Sequence, residues 1–211
     1  FREGRSRDVK YRIDILKQFR QRILQYEPEM EEAFRSDFGK PGFEVMATET
    51  RFVMQELNHT IRRLRKWSRP RRVRTPLVHF LSFSRIMPQP YGQVLVLSPW
   101  NYPFQLAFVP LLGALAAGNC VVLKSSQQVP RVSAVMDKII SHFPPELVAM
   151  VHGDHAVSDF LLSHPFDYIF FTGSGKIGRH VMKKAAENLT PVSLELGGKN
   201  PCVVTSDAQL E

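Results

Sequence analysis

Two side chains in this 211-residue chain stand where they could act on a carbonyl carbon. Asn101 lies in Ser98-Pro99-Trp100-Asn101-Tyr102-Pro103, just past the apolar run 94–97, and Pro103 opens a new helix behind it. A side-chain amide at the mouth of a strand can donate a hydrogen bond to an oxyanion. The same residue type also caps helices and fills turns, so the flanks must decide. Glu195 closes a second apolar run, 192–195, beside Gly197 and Gly198, which let backbone or ligand approach closely. A carboxylate there can serve as a general base, or simply as an ion-paired surface acid.

A third segment concerns phosphate. Residues 173–178 satisfy G-x-G-x-x-G, follow the apolar run 168–171, and precede Glu195 by about the distance of a ribose-binding carboxylate. That fingerprint normally occupies the first strand-to-helix turn, whereas here at least three strands come before it. A conventional Rossmann reductase would also need a catalytic Tyr-Lys pair or metal ligands near the cofactor, and none is evident. A phosphate-binding P-loop is excluded, because Phe170 stands where its first Gly belongs and Ile177 where Ser or Thr would hold magnesium. A Gly-rich turn without ligand stays open. Lys124 ends the run 120–124, followed by Ser125, Ser126 and Gln127. It could hydrogen-bond ribose hydroxyls or snorkel into solvent.

These residues need a scaffold, and the apolar spacing supplies one. Val9, Ile13, Leu16, Phe19 and Ile23 recur at three and four residues, which predicts a helix over 7–24. A second helix with Pro28 in its first turn ends at Gly39, and a third spans about 44–68 with the stripe Val53, Leu57, Ile61 and Leu64. Residues 77–87 read as an extended strand outside the main sheet. From Tyr91 onward, short buried runs at 94–97, 120–124, 147–152, 168–171, 192–195 and 202–205 alternate with helical spans, the last pair excepted. Near-continuous Val, Ile and Leu implies strands covered on both faces, and the alternation implies parallel pairing through crossovers. The predicted class is α/β, a doubly wound Rossmann-like parallel sheet preceded by a helical region. Ligands of such sheets sit beyond the carboxyl ends of the strands.

Composition narrows the classes further. Apolar residues make up 44% of the chain, enough for a core, and two cysteines cannot build a disulfide framework. With no leading charged-then-apolar segment in view, a cytoplasmic setting is expected. The apolar stretch 102–117 is broken by Pro103, Gln105, Pro110 and Gly113 and falls short of a membrane span. Net charge is +8, with the excess at Arg62, Arg63, Arg65, Lys66, Arg69, Arg71, Arg72 and Arg74. Without interleaved aromatics beyond Trp67, this cluster reads as a solvated helix end and linker rather than a nucleic-acid surface, and a non-catalytic nucleotide-binding module is the remaining competitor. His152, His155, His164 and Asp154 lack the spacing of a closed zinc site, so no metal is predicted. Cys120 and Cys202 read as small core hydrophobes.

Residues 98–104 (Ser-Pro-Trp-Asn-Tyr-Pro-Phe), 170–174 (Phe-Phe-Thr-Gly-Ser) and 195–201 (Glu-Leu-Gly-Gly-Lys-Asn-Pro) together resemble the aldehyde dehydrogenase superfamily. The resemblance implies an incomplete aldehyde dehydrogenase fold. It has a helical region at 1–76, a strand of the bridging and oligomerisation element at 77–90, and an NAD(P)-binding Rossmann-like domain from 91 to 211. It implies oxidation of an aldehyde to a carboxylic acid with NAD or NADP through a cysteine thioester. Asn101 becomes half of the oxyanion hole, and Glu195 the base that activates the hydrolytic water. Cofactor contacts are implied at Ser98, Pro99, Trp100, Lys124, Ser126, Gln127, Thr172, Gly173, Ser174, Ile177, Gly178, Leu196 and Gly197. In many members a glutamate stands where this chain has Gln127, so the repulsion against a ribose 2'-phosphate is relieved and NADP is admitted. Neither cysteine here matches the nucleophile's position, which the resemblance puts downstream of Glu211; the 211-residue chain is expected to be inactive on its own. Asn188-Leu189-Thr190-Pro191-Val192 resembles the class three and fatty-aldehyde branch, whose members are homodimers acting on medium to long aliphatic or aromatic aldehydes.

Overall fold

The computed structural model describes residue 1 and residues 4–209. Helix α1 (Val9–Gln25) starts at Asp8, whose carboxylate accepts the Lys10 and Tyr11 N–H groups, and it buries Ile13, Leu16, Phe19 and Ile23. Helix α2 (Glu27–Phe38) has Pro28 in its first turn and stops at Gly39, whose left-handed φ of 66° suits glycine. The single helix predicted over 44–68 is interrupted. A short α3 (Gly42–Val45) runs into a widened turn, Met46–Thr50, in which the Arg51 N–H reaches back five residues to the Met46 carbonyl, before α4 (Arg51–Trp67) begins. Such a turn carries one extra residue and is often found at functional sites. Here it contains Glu49, which is fully buried.

The basic segment after α4 is exposed, as predicted, but it also contributes a strand. β1 (Arg71–Val73) pairs antiparallel with β2 (Ser84–Ile86) in a separate two-stranded sheet, and Ser84 N–H donates to Thr75 Oγ1 at 3.0 Å. The extended segment predicted over 77–87 is therefore shorter than expected. Residues 84–86 have β1 to pair with, whereas Leu77–His79 form a 3₁₀ turn.

The main sheet follows the predicted alternation: β3 (Gln93–Leu97), α5 (Pro103–Ala117), β4 (Cys120–Lys124), α6 (Pro130–Ile140), β5 (Val148–Val151), α7 (His155–Leu162), β6 (Tyr168–Gly173), α8 (Gly175–Glu187) and β7 (Val192–Leu196). All neighbours are parallel, in the order β5-β4-β3-β6-β7. The sixth run, 202–205, forms no strand. A strand needs a partner edge, and this segment meets none among the described residues. Cys202 is consequently exposed rather than a core hydrophobe, while Cys120 on β4 is half-buried.

Both faces of the sheet are covered, which is why its strands are apolar without alternation. Val94 and Val96 point into the larger core with α1, α2, α4, α5 and α6, where Phe19 stacks on Phe143 at 3.8 Å between ring centroids. Leu95 and Leu97 face the smaller core with Ile169, Phe171, Val181 and Ala185, under α7 and α8. The helical region also reaches the sheet's helices through carboxylates. Asp37 of α2 accepts the Arg131 and Val132 N–H groups at 3.0 and 2.9 Å, and so caps α6, whose own preceding residue is Val129. Among the described residues no helix is long and apolar enough to cross a membrane.

Candidate active site

Strand order reverses at β3, with β4 on one side and β6 on the other, so the loops past their carboxyl ends splay apart. A crevice of about 1130 Å³ opens there. It is lined by Ser98, Pro99, Trp100 and Asn101 after β3, by Lys124, Ser126 and Gln127 after β4, and by Thr172, Gly173, Ser174 and Ile177 around the end of β6 and the start of α8. Glu195, Leu196 and Gly197 complete the wall from β7. Segments far apart in sequence converge because the parallel register aligns their ends: Leu97 opposite Lys124 and Phe171, and Thr172 opposite Glu195.

One predicted cofactor residue lies elsewhere. Gly178 is buried outside the crevice, and a Cβ on it would lie 2.7 Å from Leu196 Cδ2. Its value is close packing of α8 on β7, the role usual for the third glycine of such a turn.

The crevice's polar groups fit a dinucleotide. Ser174 ends the β6 turn, and its hydroxyl accepts the Ile177 N–H at 3.3 Å. The Gly175 and Lys176 amides, in the first turn of α8, have no intrahelical acceptor, and a helix start of this kind favours an anion. Buried polar groups are normally paired, yet Ser98 Oγ and Thr172 Oγ1, on neighbouring strand ends, are buried without a hydrogen-bond partner among the described residues. Lys124 is only 7% exposed, and burial pulls its ammonium pKa down, an effect that the nearby Asp154 partly offsets.

Asn101 is not a helix cap. The residue preceding α5 is Tyr102, which makes no side-chain cap, and Asn101 makes no side-chain hydrogen bond among the described residues. Its amide is exposed in the crevice, as is Glu195. The sequence reading missed an apolar wall built from Phe52 at the start of α4 and Leu106, Val109 and Pro110 along α5. Their i, i+3 and i+4 spacing was visible, but in an almost wholly apolar helix it does not single out a face. Asp154 and His155, weighed in the sequence only as members of a rejected metal set, also line the crevice. Asp154 caps α7 by accepting the Ala156 and Val157 N–H groups at 2.9 and 3.3 Å, and His155 opens that helix. Among the described residues no group of three or more His, Cys, Asp or Glu is placed to hold a metal.

A doubly wound sheet with an anion-favouring helix start and unpaired hydroxyls at its switch point is a nucleotide-binding α/β layout. The chain belongs to the aldehyde dehydrogenase family, whose model matches residues 1–211. It is 41% identical to aldehyde dehydrogenase family 3 member H1 of Arabidopsis thaliana over 212 aligned positions, covering all of this chain and 44% of that protein. Among solved structures it superposes on the substrate-bound state of AldH from Staphylococcus aureus with a TM-score of 0.93 and 39% identity, covering 95% of this chain and 44% of the other. It also matches the betaine aldehyde dehydrogenase of Staphylococcus aureus in complex with NAD+, with a TM-score of 0.82 and 28% identity over 95% of this chain and 40% of that one. The chain thus spans under half the length of these proteins.

Proposed function

We propose that the protein of which this chain forms part oxidises an aldehyde to a carboxylic acid, using NAD or NADP and a cysteine supplied by a later part of the protein. The observation that carries this reading is the convergence of Asn101 and Glu195 on one crevice whose remaining polar groups suit a dinucleotide. A nicotinamide cofactor, when bound, accepts the hydride from the substrate carbon. Lys124, Ser98, Thr172 and the start of α8 would hold it, with Ser174 shaping the turn.

The chain's own residues supply three functions. The Asn101 amide N–H donates to the substrate oxygen as negative charge develops on it, which lowers the barrier to thiolate attack. The wall of Phe52, Leu106, Val109 and Pro110 sheds water and takes an apolar aldehyde tail, consistent with aliphatic or aromatic substrates. Glu195 takes a proton from the water that hydrolyses the thioester. A homodimer belongs to the same proposal through the resemblance to the class three branch, and a cytoplasmic setting through a cysteine content too low for a disulfide framework.

The test is steady-state oxidation of a medium-chain and an aromatic aldehyde by the full-length protein, with reduced cofactor as the readout. Turnover of neither aldehyde, in a folded protein that binds cofactor, overturns the reading. The competing non-catalytic module predicts cofactor binding without turnover. The same assay on the 211-residue chain should show no turnover.

A further inference from the structure

The first turn of α5, directly behind Asn101, is capped from another helix. Tyr102 precedes it and has no side chain suited to capping, and Pro103 at the first position removes one N–H. The Gln105 N–H instead donates to Glu49 Oε2 at 2.8 Å, and the Phe104 N–H also points to this carboxylate. The other oxygen, Oε1, accepts from Lys40 Nζ at 3.3 Å. Lys40 Nζ in turn lies 4.4 Å from the centroid of the Tyr102 ring, a cation–π distance. The contacts close a circuit: Gln105 to Glu49, Glu49 to Lys40, Lys40 to Tyr102, and back along one helical turn.

That circuit holds an unusual backbone. Tyr102 sits at φ 47° and ψ 50°, the left-handed region that a bulky side chain rarely adopts. Such a conformation persists only where its surroundings over-determine it, and it clusters at functional sites. Asn101 is the residue before it, so the direction of its amide follows from this elbow. Glu49 reaches the turn because the widened Met46–Thr50 segment precedes α4, and its side chain is 0% exposed. A buried carboxylate with two N–H donors and an ammonium partner is a built feature, not a surface acid that happens to lie near.

We propose that Glu49, held by Lys40, is a positioning residue for Asn101: by capping α5 from α4's side it spares residues 101 and 102 that task and fixes the elbow that aims the amide. This rests on the oxyanion reading of Asn101. Glu49 does not line the crevice and acts through the backbone of 101–105.

The test uses the full-length protein and five variants: Glu49→Ala, Glu49→Gln, Asn101→Ala, the double variant of Glu49→Ala with Asn101→Ala, and Ile139→Ala on α6 as a destabilising control. Single-turnover cofactor reduction should slow about tenfold or more in Glu49→Ala, with aldehyde KM changed less than about threefold, because the lost interaction is one made by the developing oxyanion. Glu49→Gln keeps a hydrogen-bond acceptor and should recover most of the rate. Ile139→Ala should melt earlier yet keep its rate. The double variant should match Asn101→Ala within about twofold, since two residues acting through one donor are not additive. Amide hydrogen exchange at Phe104 and Gln105 should quicken in Glu49→Ala relative to α1.

A folded Glu49→Ala protein that reacts at the unmodified rate overturns the proposal, and so do losses that multiply in the double variant. Those failures leave Asn101→Ala slow. An Asn101→Ala protein of normal rate instead overturns the oxyanion reading itself, and the positioning role of Glu49 with it.

Discussion

Thr172 and Glu195 stand opposite one another across β6 and β7, one residue beyond the pairing of Phe171 with Leu194. Side chains that are partners in register project to the same face of a sheet. The Thr172 hydroxyl, unpartnered among the described residues, and the Glu195 carboxylate are therefore held at one height on the crevice wall by backbone hydrogen bonds rather than by loops. A scaffold of that kind keeps a binding group and a proton acceptor in fixed relation while the cofactor comes and goes.

The orphaned hydroxyl gives a prediction opposite in sign for stability and for binding. Leaving a buried hydroxyl unpaired costs about 1–3 kcal/mol. Thr172→Val, which keeps the shape and removes the hydroxyl, should raise the unfolding free energy of the cofactor-free protein by about 1 kcal/mol and weaken cofactor binding by about 1 kcal/mol or more. Urea unfolding and calorimetric titration read the two effects. A variant that is less stable without cofactor and binds it unchanged would show that Thr172 has no ligand-directed role.

Asn101 and Glu195 should fail in different ways. In the full-length protein Glu195→Gln should preserve a rapid burst of reduced cofactor and then stall, since thioester hydrolysis follows hydride transfer. Asn101→Ala should slow the burst itself, by about 10² or more if it acts as a side-chain oxyanion donor. Rapid-mixing absorbance separates the phases. Unchanged turnover in Glu195→Gln would mean that another group activates the water.

The sheet was legible because buried parallel strands write themselves as uninterrupted Val, Ile and Leu, and the crevice was legible because Asn101, Lys124, Thr172 and Glu195 each end or follow such a run. What escaped was decided by tertiary partners. Residues 202–205 have strand composition but no edge to join, whereas Arg71–Val73 has a basic composition yet pairs with β2. Glu49 reads in sequence as one acid among several near the start of an amphipathic helix. Its burial depends on the widened turn and on the bare first turn of α5, a relation that no local periodicity encodes.

Burial of Glu49 raises its carboxyl pKa above the ordinary 4.5, outweighing the Gln105 and Phe104 N–H groups and Lys40, which pull the other way. Among the described residues the charged group recorded as acting on this carboxylate is Lys40, whose ammonium also lies 3.8 Å from Glu44. A carboxyl with a raised folded pKa binds its proton more tightly in the native state, so its stabilising contribution is full below the unfolded value and lost as pH climbs through the folded one. The stability of the unmodified protein minus that of Glu49→Gln should therefore fall as pH rises above about 4.5 and then level off. Urea unfolding of both proteins from about pH 4 to 7 measures this. A difference that grows with pH would mean that the Lys40 and N–H contacts outweigh desolvation.

Cofactor choice turns on the rim of the crevice after β4. Gln127 is neutral and exposed there, Lys124 is buried in the same wall, and Asp154 acts electrostatically on the Lys124 ammonium group. A ribose 2'-phosphate would meet attraction from Lys124 and no carboxylate at position 127, so NADP should be accepted alongside NAD. Gln127→Glu exchanges a neutral acceptor for a charge that repels the phosphate, and it should move the preference toward NAD chiefly by weakening NADP. The ratio of the two dissociation constants, measured for both proteins at one ionic strength, is the readout, because a phosphate contact is salt-sensitive. Asp154 is already engaged with the Ala156 and Val157 N–H groups, which draws its charge toward α7. If the unmodified protein rejects NADP by more than about 10³, roughly 4 kcal/mol, the neutral Gln127 does not set the preference. Asp154→Asn would then be the variant expected to restore NADP binding, identifying the carboxylate that overrides Lys124.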